Sequence, residues 1–213
     1  MCRIFDEKLF SRSLQSAAKG TPWTAKQGVI SSSLNGWIFS VDFHQKKILR
    51  FFAKPVAWDH MLWDILQIEG NQNKPVTFHY WGTFTCKTPA ICELCVDEEG
   101  LSKDDLAQAI ISFADQGKDD RDWQKGLSFE QMHDLASSDM LRQDYTMTQV
   151  ISLISNQRYE DAKTLCQQAV RGEIPIRHVF SSFDKNEVPD RQGRRPSRSF
   201  FELAEIYLEK NLL

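Results

Sequence analysis

Gly36-Trp37-Ile38-Phe39-Ser40-Val41-Asp42-Phe43-His44 is the stretch on which the fold turns. Trp37, Phe39, Val41 and Phe43 alternate with Ile38, Ser40, Asp42 and His44, and a period of two is what a strand imposes on its side chains. The polar break Gln45-Lys46-Lys47 and a second β-rich run, Ile48-Leu49-Arg50-Phe51-Phe52-Ala53-Lys54, come at hairpin distance. Pro55, which cannot donate to a ladder, closes that second strand.

Outward from this hairpin the pattern predicts an α+β fold. Upstream, Ile4, Phe5, Leu9, Phe10 and Leu14 share one side of a helix expected over residues 3–18, ended by Gly20-Thr21-Pro22. Downstream, Trp58, Met61, Leu62, Ile65 and Leu66 have helical spacing, and Gly70-Asn71-Gln72-Asn73 makes a loop. Residues 75–85 alternate again, with Val76, Phe78, Tyr80, Gly82 and Phe84 against Thr77, His79, Trp81, Thr83 and Thr85, which predicts a strand. Ile91 to Val96 supplies another. Residues 28–97 are thus expected to form a small antiparallel sheet, aromatic on both sides and in need of cover.

After Gly100 the pattern becomes helical. Ser102-Lys103-Asp104-Asp105 and Ser128-Phe129-Glu130-Gln131 have the form of N-caps, the second a capping box. Gly117 to Gly126 reads as a charged loop anchored by Trp123, and residues 146–171 as a helical hairpin around Asn156-Gln157-Arg158. Tyr159, Ala162 and Ala169 of that hairpin resemble one helix of a tetratricopeptide repeat, without the further copies that a stable array needs. Residues 184–199 should be an exposed loop and Phe200–Leu208 a closing helix. The sheet region, 1–100, and the helical region, 101–213, are expected to pack as one domain.

Composition excludes some functions. With 213 residues the chain can bury its own core, and its apolar runs fall short of the roughly 20 residues that cross a bilayer. The charged opening, Cys2-Arg3-Ile4-Phe5-Asp6-Glu7-Lys8, has no secretion pattern, and the odd set Cys2, Cys86, Cys92, Cys95 and Cys166 favours reduced thiols, so a cytoplasmic location is expected. Residues 97–144 hold 13 Asp and Glu against 5 Lys and Arg, which repels phosphates and attracts basic proteins. The simpler reading of such a stretch is a solvated helical face.

Few motifs carry chemistry. Cys92-Glu93-Leu94-Cys95 has C-x-x-C spacing but stands alone, and on a strand its thiols point to opposite faces, so no metal is expected there. His44, His60, His79, His133 and His178 form no metal pattern, and there is no nucleophile elbow, P-loop or dinucleotide fingerprint. No catalytic, cofactor-binding or metal site is therefore assigned. The one basic cluster, Arg191, Arg194, Arg195 and Arg198, lacks interleaved aromatics, which argues against nucleic-acid binding.

The run WDHMLWDIL (58–66) through PVTFHYWGTFTCKTPAI (75–91) resembles, in layout, small bacterial α+β families, some of which accompany polymorphic toxins as immunity proteins. That resemblance implies a cofactor-free protein whose acidic segment meets a basic toxin. The leading expectation is a non-catalytic protein-binding protein of the immunity or antitoxin kind. Its surface would comprise Asp97, Glu98, Glu99, Asp104, Asp105, Asp119, Asp120, Asp122 and Trp123. Two alternatives stand beside it: an enzyme with an unconventional site around His60, Asp64 and His79, and a helical adaptor that holds a peptide on the 146–171 hairpin.

Overall fold

The alternating segment forms an eight-residue strand, Trp37–His44, in the middle of a five-stranded antiparallel sheet. The structure is a computed structural model and describes residues 7–45, 47–96, 101–136, 144–183, 185, 188–189, 192–193 and 195–212. In chain order the strands are β1 (Thr24–Lys26), β2 (Val29–Leu34), β3 (Trp37–His44), β4 (Ile48–Pro55) and β5 (Cys92–Cys95), each paired with the next. Asn35 and Gly36 lie at φ 51 and 78, the left-handed values of a two-residue hairpin turn, so Leu34 pairs directly with Trp37. Gln27 and Gly28, at φ 50 and 81, join Lys26 to Val29 in the same way.

Period two gives this sheet two different faces. Trp37, Phe39 and Val41 of β3, with Leu49, Phe51 and Ala53 of β4, form an apolar face. Ile38, Ser40 and Asp42 stand opposite Lys54, Phe52 and Arg50 on the other, and the Arg50 to Glu93 pairing extends that polar row to β5.

Helices α1 (Glu7–Ala17) and α4 (Lys103–Asp119) pack on each other, and α4 lies along β3 and β4. Leu106, Ile110, Phe113, Ala114 and Gly117 are its buried stripe. A Cβ built on Gly117 would stand 2.7 Å from the Phe51 ring, so glycine sets how closely α4 approaches β4. A 3-10 turn then carries Trp123 under the sheet, where its ring lies 5.1 Å from Trp37 and 4.9 Å from Phe39 and its Nε1 donates to the Lys118 carbonyl.

On the polar side α2 (Val56–Ile65) leaves β4, and α3 (Val76–Trp81) crosses β2 and β3. The alternation at 75–85 predicts a strand, and the structure corrects this to a six-residue helix with an extended loop after it. Pro75 is the extended residue just before the helix, at φ −65 and ψ 158, and its carbonyl accepts from the Phe78 N–H at 2.8 Å to start the first turn. Gly82 ends the helix where a Cβ would meet the Phe78 carbonyl at 2.5 Å, and tertiary bonds hold the loop beyond it.

Both expected caps close reciprocally, Ser102 with Asp105 and Ser128 with Gln131 at the start of α5 (Phe129–Leu135). The expected hairpin is α6 (Thr146–Ser155) and α7 (Tyr159–Val170), with α8 (Phe200–Leu212) packed on α7. Residues 197–199, expected in an exposed loop, form strand β7 (Ser197–Ser199) paired with β6 (Ser181–Phe183). Buried side chains from Phe10 to Leu208 belong to one apolar cluster.

Candidate functional site

The acidic segment divides along α4. Asp97, Glu98 and Glu99 lie outside the described residues. Asp104 and Asp105 are exposed in the first turn, where the helix dipole favours them and Asp105 completes the cap. Asp119 and Asp120 are exposed at the other end, about 25 Å away for a 17-residue helix, where the dipole opposes negative charge. Among the described residues no basic side chain is within ion-pair distance of Asp104, Asp119 or Asp120, whereas Asp122 reaches Lys125 at 3.5 Å. Trp123, expected on this surface, is corrected to the core: it is 5% exposed, under the aromatic face of the sheet.

Cys92 and Cys95 are free thiols on opposite faces of β5, the first half-buried and the second exposed. Among the described residues no group of three His, Cys, Asp or Glu side chains is placed to hold a metal ion.

The histidines are brought together differently from the expected trio. The His60 and His79 rings stack at 5.6 Å, 15° apart, but Asp64 turns away and accepts from Gln72 Nε2 at 2.6 Å. The carboxylate at His79 is Asp59 instead. It sits on the buried stripe of α2 with Leu62, Trp63 and Leu66, fully enclosed. His79 Nδ1 lies 2.8 Å from Asp59 Oδ2, and since a carboxylate can only accept, Nδ1 carries the proton. Asp59 Oδ1 accepts from the Cys86 backbone N–H at 2.6 Å and from Lys54 Nζ at 2.9 Å. Lys54, at the end of β4 and 6% exposed, also donates to the carbonyls of His79 at 2.6 Å and Cys86 at 2.8 Å. An ammonium has three donors, so Lys54 is saturated.

This network is a clasp as much as a site. It ties β4, α2, α3 and the loop after α3 at one buried point, as a paired and fully hydrogen-bonded charge must be if it is to stay in the interior. Trp63 Nε1 donates to the Phe84 carbonyl at 2.5 Å, and Thr148 Oγ1 to the Lys87 carbonyl at 2.7 Å, so residues 84–87 are held from three sides. Phe84 is kept at φ 58, a left-handed conformation that bulky side chains avoid. Burial, followed by the charge of Asp59, pushes the Cys86 thiol well above its ordinary range.

Above the clasp lies a cleft of about 520 Å³ over the polar face of the sheet. Its wall includes Ser40, Phe52, Tyr80, Thr88, Lys87 and Tyr145. Within the wall, Asp42 takes Arg50 in a bidentate pair, from Nε at 2.8 Å and from Nη2 at 2.5 Å. Burial works against the Arg50 charge, but the Asp42 bonds outweigh it and hold the guanidinium above its ordinary value. Burial raises the Tyr80 phenol, which also bonds Asp42, and pushes Tyr145 up to about 12.

The hairpin expected to hold a peptide has its small side chains, Ala162, Cys166 and Ala169, buried, with α8 packed along α7. Arg191 and Arg194 lie outside the described residues, while Arg195 is exposed and Arg198 half-buried on β7. No helix among the described residues is long and apolar enough to cross a membrane. Comparison with protein-family models, with curated proteins and with solved structures returns no match to this chain.

Proposed function

We propose that the protein is a non-catalytic protein-binding protein of the immunity or antitoxin kind, which meets a basic partner through the exposed acids at the C-terminal end of α4. The observation that carries this reading is the placement of Asp119 and Asp120. Both are exposed, neither has a described basic partner, and both stand where the helix dipole makes negative charge unfavourable by about 0.3–1 kcal/mol each. A charge kept at a cost to the fold fits a role outside it. Asp104 and Asp105 differ, because capping and the dipole account for them within the protein. Beneath the cleft, Lys54 and Asp59 are spent on each other and on the backbone, so these two side chains hold shape.

Complementary charge of this kind speeds association and makes it salt-sensitive. The test is capture of the partner by the tagged protein from the cells that make it, at low and at raised salt. A basic protein retained at low salt, released by raised salt, and lost when Asp119 and Asp120 become Asn while Asp104→Asn retains it, is the expected result. Retention that ignores both salt and the Asp119→Asn/Asp120→Asn change would overturn the reading.

A further inference from the structure

The cleft over the polar face of the sheet is untouched by that reading, and its donors and acceptors are unequal. On its wall stand three cations, Arg50, Lys54 and Lys87, and one carboxylate, Asp42, with Asp59 beneath. Lys54 has no donor left. Both oxygens of Asp42 are taken by Arg50, and the Tyr80 phenol bonds the same group. Glu93, opposite Arg50 in the sheet, and Asp144, 3.7 Å from Arg177, stand outside the wall. The one carboxylate on the wall is therefore engaged within the protein, while Asp144 Oδ1, off the wall, is buried without a hydrogen-bond partner.

Donors remain. Asp42 engages Nε and Nη2 of Arg50, so the Nη1 N–H groups meet no described acceptor. The Arg50 guanidinium is fixed by that pair and by the Phe52 ring, whose centroid is 5.3 Å away. Lys87 is exposed, and among the described residues its ammonium has no partner. The backbone of Lys87 is pinned by Thr148, and two residues before Cys86 the chain passes through Phe84 at φ 58. Strain of that type persists only where the surroundings over-determine it, and it gathers at ligand clamps. Phe52, Tyr80 and Tyr145, with Ile38, give the wall its flat apolar surfaces, and Ser40, His79, Thr85 and Thr88 are polar side chains beside them.

We propose that this cleft binds a small organic anion, with a carboxylate or phosphate group between Arg50 and Lys87 and a planar or apolar body against Phe52, Tyr80 and Tyr145. Arginine forks match the two oxygens of either group, and a fixed fork loses less freedom on binding than a loose one.

The probes are phenyl phosphate and benzoate for the two head groups, inorganic phosphate for a head group without a body, and benzylamine for the same ring with opposite charge. Affinities are read by calorimetry on the full chain. Both aromatic anions are expected to bind more tightly than inorganic phosphate, with benzylamine silent; the tighter of the two names the head group. Lys87→Gln, at an exposed position that leaves the fold intact by its melting curve, should weaken them by roughly tenfold, the scale of one charge-assisted bond, and Lys210→Gln on α8 should not. No heat from either anion at millimolar concentration, equal binding of benzylamine, or full affinity in Lys87→Gln would overturn the assignment. Asp119→Asn/Asp120→Asn should keep anion affinity unchanged, so failure of the cleft and failure of the partner surface are separate results.

Discussion

The two faces of the same sheet are stabilised by different physics. Against α4 the face is aromatic and closes by contact alone: Trp37, Phe39 and Phe51 meet Trp123, and Gly117 lets the helix rest on a ring. Against α3 and the loop after it, strand neighbours of those residues are Ser40, Asp42, Arg50 and Lys54, and this face closes at a buried Lys54–Asp59–His79 clasp with a cleft beside it. Dispersion and the hydrophobic effect fill the first face; directional bonds support the second, beside an open cleft. Close packing gives stability, whereas a polar clasp gives a defined shape around open space.

The largest expected effect breaks the clasp. Asp59→Ala strands an ammonium in the interior and should cost about 3–5 kcal/mol in urea unfolding, as much as Phe51→Ala on the other face. The double change Lys54→Met/Asp59→Leu removes both charges and should recover most of that loss. A double variant as weak as Asp59→Ala would mean that His79 and the loop carbonyls, rather than the ion pair, hold this face. Next in size is Gly117→Ala, whose Cβ meets the Phe51 ring at 2.7 Å. Overpacking there should cost about 1–3 kcal/mol, and an unchanged melting temperature would show that α4 can slide.

Alkaline pH sharpens the comparison without mutation. Burial pushes Cys166 from 9.0 up to about 12, pushes Tyr145 from 10.0 up to about 12, and raises Cys86 well above its ordinary range. Folded values above unfolded ones mean that stability is fully present below the unfolded values and is lost as pH rises through the folded ones. Unfolding midpoints should therefore fall between about pH 9 and 12. In the same range iodoacetamide should label Cys95 first and reach Cys86 only as the fold opens; prompt labelling of Cys86 in the folded protein would contradict its burial.

Much of this fold is legible in the residues. The alternation of Trp37 to Phe43, the helical spacing after Trp58, and the caps at Ser102 and Ser128 each become the expected element, because local preference and tertiary packing agree there. They disagree at 75–85, where alternation suits a strand but Pro75, Gly82 and the bonds of His79 and Phe84 decide the outcome. Asn35-Gly36 marks the β2 to β3 turn plainly, yet the strand before it has too little alternation to declare itself. The clasp is half-visible. His79 stands out in the sequence, but its partner is Asp59, whose signal is an acid on the apolar stripe of α2 with Leu62 and Leu66. Lys54 closes a strand far from His79 in sequence, and no spacing rule joins the two. Trp123 sits in a charged stretch, so its burial is set only by the sheet above it.

The most direct measurement of the central claim takes the smallest change, Asp119→Asn/Asp120→Asn, and reads stability and partner retention on the same preparation. Removing charges that oppose the α4 dipole should raise unfolding stability by about 0.6–2 kcal/mol for the pair, while retention of the basic partner at low salt falls. Stability that stays level or drops, together with retention equal to the unaltered protein, would contradict it.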